Sequence, residues 1–100
     1  MRKLVRDKLP EIDPTMKVHL AHESERAEWL LAKLDEEVQE VFLAETDAEL
    51  LEELADVWEA FRSLVYACDT DVARVLKVAR DKRKLKGGFD KLVIWDDGEW

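Results

Sequence analysis

Residues 24–67, SERAEWLLAKLDEEVQEVFLAETDAELLEELADVWEAFRSLVYA, read as two amphipathic helices and the turn between them. In the first helix, Ala27, Leu30, Leu31, Leu34, Val38, Val41 and Phe42 recur at spacings of three and four, the period of one helix face. Ser24 suits the N-cap and the pattern lapses at about Ala44. Thr46-Asp47-Ala48-Glu49 then has the Thr-x-x-Glu form of a capping box, in which a hydroxyl and a carboxylate satisfy the free amides of a helix start. The second stripe, Leu50, Leu51, Leu54, Val57, Trp58, Phe61, Leu64 and Val65, carries that helix to about Tyr66 or Ala67. So short a connection makes the two helices antiparallel neighbours.

Working outward, Asp69 or Thr70 offers a cap for a third helix. Its face holds Val72, Val75, Leu76 and Ala79, with Lys82 or Arg83 nearby, and Gly87-Gly88 stops it. Phe89–Trp95 reads as a short strand or as an extended tail packing on the helices, and Asp96–Glu99 as a turn with a frayed end. On the other side, Pro10 and Pro14 make residues 1–14 an extended segment and turn, because the residues before them are pushed toward extended geometry. The expected fold is therefore an all-α bundle of three main helices, with an extended N-terminal arm and a C-terminal tail, forming one domain over residues 1–100.

Composition narrows the classes. With three Gly, two Pro and 47% hydrophobic residues among 40% charged ones, the chain is suited to a compact helical fold rather than disorder. No apolar run approaches the ~20 residues of a membrane span, and the opening Met1-Arg2-Lys3-Leu4-Val5-Arg6-Asp7-Lys8 lacks the apolar stretch of a secretory signal. The single cysteine, Cys68, has no partner for an internal disulfide, which suits a reducing cytoplasm. Trp29, Trp58 and Trp95 are expected as core or interface residues rather than platforms for bases.

The net charge of −8 is unevenly spread: residues 21–60 carry fourteen acids against two bases, while residues 74–86 hold seven bases against Asp81 alone. Such blocks are commonly solvated helix faces; here they also suit an acidic metal nest followed by a phosphate-binding patch. The acidic middle would repel phosphates, so direct binding of nucleic acid is not expected.

Four acids break the outward pattern. Glu37 lies seven residues after Leu30, three after Leu34 and four before Val41, all on the apolar stripe, so it points inward, with Glu40 one turn on. Glu53 stands three after Leu50 and four before Val57, with Asp56 one turn further. Each of two antiparallel helices thus offers an inward carboxylate pair, and the pairs can face one another. Carboxylates so confined either take up protons or share a cation. An oxygen-only donor set, with no paired His or Cys, favours Mg²⁺, or alternatively Mn²⁺, over Zn²⁺. His19 and His22 are read as surface or packing residues, and Cys68 as a small apolar one.

Glu37-x-x-Glu40, twelve residues, then Glu53-x-x-Asp56 resembles the signature of the MazG-like nucleotide pyrophosphohydrolases. Lys82-x-x-x-Lys86-Gly87-Gly88-Phe89 and the opening Lys3-Leu4-Val5-Arg6-Asp7-Lys8-Leu9-Pro10-Glu11-Ile12 look like a small single-domain branch of that group, related to the phosphoribosyl-ATP pyrophosphohydrolases. Two positions depart from the branch pattern: Lys86 stands where Arg is expected, and Asp81 where Glu is usual. The resemblance implies an all-α bundle built from dimers or larger assemblies, and Mg²⁺-dependent hydrolysis of a nucleoside triphosphate to a monophosphate and pyrophosphate. On this reading Glu37, Glu40, Glu53 and Asp56 are metal ligands, Glu36 is a spare acid acting as a base behind them, and Lys82, Lys86 and Arg83 hold the phosphates. Arg6 and Lys8 would reach the site from the N-terminal arm or from a partner subunit. The competing readings are a helical regulatory or interaction module, whose inward acids pair with bases of another protein, and a relative that binds nucleotide without turnover.

Overall fold

The computed structural model describes residues 2–96, and its elements are helical, with no strand among the described residues. A short helix α1 (Leu9–Ile12) is followed by a 3-10 turn (Glu23–Glu25), then α2 (Arg26–Leu43), α3 (Asp47–Ala67) and α4 (Val72–Lys86). The expectation for residues 1–14 is corrected by α1. Pro10 falls in its first turn, where the amide that proline lacks has no helical partner to lose.

The starts of the main helices follow local chemistry. His22, not Ser24, caps the 3-10 turn that leads into α2, its Nδ1 accepting the Ser24 amide at 3.3 Å. Thr46 Oγ1 accepts the Glu49 amide at 3.1 Å, and the Glu49 carboxylate accepts the Glu45 amide at 2.9 Å, so the start of α3 is tied in both directions. The cap of α4 is Asp71, which accepts the Arg74 amide at 2.9 Å. The expected caps Asp69 and Thr70 lie instead in the reversal before it, where Asp69 adopts a left-handed φ of 58°. Gly87, at φ 80°, closes α4 by donating to the Arg83 carbonyl.

The antiparallel pair α2–α3 is the body of the molecule, and α4 packs only against α3. Ala60 and Val65 are the buried apolar residues of the described chain, with Leu30, Leu34, Val41, Val57, Phe61 and Leu64 half-buried around them. Much of the apolar stripe stays open: Phe42 is 83% exposed and Trp58 48%. Trp29 is half-buried. Phe89, Leu92, Val93, Ile94 and Trp95 are exposed, which corrects the expectation that this segment forms a strand or packs on the helices. Among the described residues no strand pairs with it, and its Asp90 is tied back to Arg83 near the end of α4. Residues 97–99 of the expected frayed end lie outside the described residues. Cys68, read as a small apolar residue, is exposed where α3 ends. Among the described residues, no helix is long and apolar enough to cross a membrane.

Candidate metal centre

Three of the four inward acids meet. Carboxylate oxygens of Glu37 on α2 and of Glu53 and Asp56 on α3 lie within 4.8 Å of one another. The i, i+3 spacing puts Glu53 and Asp56 on one face of α3, and packing of that face on α2 brings Glu37 to them. Glu37 is the buried charged residue of the described chain. Glu40, one turn along α2, is half-buried and falls outside this tight set, though its charge is felt by Glu53.

The surrounding charges explain how the cluster is tolerated. Lys33 on α2 reaches Glu37 at 3.0 Å and Glu36 at 3.4 Å. From the N-terminal arm, Lys3 donates to Glu36 at 2.9 Å and Arg6 to Asp56 at 2.6 Å. Five carboxylates therefore gather near three cations, an excess of two negative charges. The hydrogen bond from Lys3 holds the Glu36 carboxyl below its ordinary range, aided by the charges of Lys33 and Lys3. Glu53 is pushed up, first by partial loss of water at the helix interface and then by the charges of Asp56, Glu37, Glu40 and Glu52. Lys3 and Arg6 are both raised, chiefly by their hydrogen bonds to Glu36 and Asp56.

The donor set fits a hard divalent cation. Oxygens sharing one Mg²⁺ at about 2.1 Å lie at most about 4.2 Å apart, so a set spread over 4.8 Å closes on an ion with small side-chain movements. Glu37, Glu53 and Asp56 would hold it. Glu36 faces Lys3 and Lys33, and a carboxylate kept ionised by two ammonium groups is a weak base. Glu53, whose environment disfavours its charge, is the more basic of the two.

The remaining expected residues are dispersed. Arg6 reaches the cluster, whereas Lys8 is the exposed N-cap of α1. Lys82, Arg83 and Lys86 lie on the exposed end of α4, which makes no Cα approach within 8 Å of α2. Arg83 is engaged by Asp90 at 2.8 Å and lies so close over Gly88 that a side chain there would collide with its guanidinium. Within one chain, then, the basic end of α4 makes no ion pair with Glu37, Glu53 or Asp56. Two cations escaped the sequence reading. Lys33 stands between Leu30 and Glu37 at helical spacing, so its place on the inner face was legible in the pattern. Lys3 reaches Glu36 across 33 positions, and no local signal marks that contact.

Comparison with models of known protein families, with curated proteins and with solved structures gives no match.

Proposed function

We propose that this chain is a Mg²⁺-dependent nucleotide pyrophosphohydrolase of the MazG-like type, which hydrolyses a nucleoside triphosphate to the monophosphate and pyrophosphate. The meeting of Glu37 with Glu53 and Asp56 across α2 and α3 carries this reading. A bound divalent cation would supply neutralisation of the phosphate charge and a water of lowered pKa. Glu37, Glu53 and Asp56 would hold the cation, and a Glu53 oxygen not engaged by the ion would accept a proton from the water that attacks the α-phosphorus. Pyrophosphate leaves as the α–β bridging P–O bond breaks. Lys82 and Lys86, four residues apart on α4, bind phosphate oxygens from a neighbouring copy, because within their own chain they pair with none of the clustered acids and α4 does not approach α2. The open apolar surface of α2 and α3 supports assembly into a homodimer or larger homo-oligomer.

The test is a pyrophosphate-release screen over standard, deoxy and modified nucleoside triphosphates and phosphoribosyl-ATP, with Mg²⁺ or Mn²⁺. Turnover with at least one substrate is expected, with loss of about 10²-fold or more in Glu53→Gln. Mg²⁺ at a hundred times its dissociation constant should stabilise the wild type by about 2.7 kcal/mol. Absence of any metal-dependent shift, with or without nucleotide, would reject the enzyme in favour of an interaction module. A metal and nucleotide shift without pyrophosphate release would mark a binding protein.

A further inference from the structure

The N-terminal arm spans both walls of the acidic cluster with one cation on each. Lys3 takes Glu36 on α2, and Arg6 takes Asp56 on α3, contacts separated by 33 and 50 positions in the chain. Between them Leu4 and Val5 are half-buried, so the segment is seated on the molecule. The two arm cations differ from Lys33. That lysine belongs to α2 itself, its side chain is 18% exposed, and its partners lie one turn along the same helix. Lys3 and Arg6 are more than half exposed and sit on a segment outside the helices.

We propose that the arm is a displaceable cationic clasp: Lys3 and Arg6 stand in for a divalent cation, and binding of the ion to Glu37, Glu53 and Asp56 releases them. This rests on the metal reading above. The argument is one of charge. Without the arm, five carboxylates face Lys33 alone and leave four negative charges to hold Lys3 and Arg6; one dication halves that pull and takes Asp56 from Arg6, and a second removes it. Exposed ion pairs hold weakly, and a dication among three carboxylates outcompetes them. Arg6, whose guanidinium can grip a phosphate through two parallel hydrogen bonds, is thereby freed beside the site.

The experiment measures Mn²⁺ binding by electron paramagnetic resonance for the wild type, Arg6→Gln and the double variant Lys3→Gln/Arg6→Gln. In parallel, amide hydrogen exchange over residues 2–13 of the wild type is followed with and without Mg²⁺. Affinity is expected to rise about two- to fivefold for each cation removed, and exchange in the arm to speed up when Mg²⁺ binds. Mn²⁺ bound with equal or lower affinity in the variants overturns the clasp while sparing the metal centre, as does an arm whose exchange is unchanged or slowed by Mg²⁺. No Mn²⁺ bound by any of the three proteins overturns both. The exchange measurement needs no variant, so a misfolded double variant leaves the clasp testable.

Discussion

Lys33 and Glu37 illustrate how one contact serves stability and chemistry together. Their side chains, 18% and 10% exposed, pair at 3.0 Å against the α2–α3 interface. Removing the lysine leaves a buried carboxylate among other acids, a costlier change than losing a surface pair. Lys33→Met is expected to destabilise the fold by about 1–3 kcal/mol in urea denaturation, with part of the loss recovered in Lys33→Met/Glu37→Gln. Glu53 carries the opposite sign. Its carboxyl holds a proton more readily in the folded chain than in the unfolded one, so its ionisation opposes folding and acidification through the raised pKa relieves that opposition. In chelator near neutral pH, Glu53→Gln is therefore expected to raise the melting temperature, with a gain that shrinks as pH falls into the carboxylate range; calorimetric melts across pH check it. Glu36 runs the other way, contributing stability above the ordinary carboxylate pKa and losing it as pH falls through its lowered value.

At the level of elements, the three main helices rest on short-range chemistry that the amino-acid order displays. The capping box at α3 works in both directions through Thr46 and Glu49. Thr46→Ala should cost about 1 kcal/mol, read as a shift of the urea midpoint without a change of slope, and Asp71→Ala at the start of α4 a similar amount. Where the reading slipped, the causes are local too. Pro10 breaks a helix only beyond its first turn, so α1 forms around it. Asp69, Thr70 and Asp71 are all capping types in succession, and only the geometry of the reversal selects the third.

The molecule as a whole is extended for its length. Its radius of gyration is 17.1 Å, against about 13 Å for a compact chain of this size. Ala60 and Val65 alone are buried apolar residues among those described, while Phe42, Trp58, Phe89 and Trp95 are exposed. So small a core supports a hundred-residue fold poorly by itself. Sedimentation velocity is expected to give a dimer or larger species. Phe42→Lys and Trp58→Lys should shift it toward monomer and lower the melting temperature together; at a merely solvated surface the same changes would stay within about 0.5 kcal/mol.

The amino-acid order by itself determined the three main helices, the α3 cap and the inward turn of Glu37, because each depends on residues within about one helical turn of one another. It also paired Glu53 with Asp56, again by spacing alone. Tertiary packing decided which acids share a point. Glu37 joins that α3 pair while Glu40 stands apart, a matter of how two rods are set against each other rather than of either rod's pattern. It likewise decided that Lys3 and Arg6 land on acids 33 and 50 positions away, and that α4 packs on α3 without approaching α2. Those outcomes follow the path of the chain through space, which periodicity does not encode.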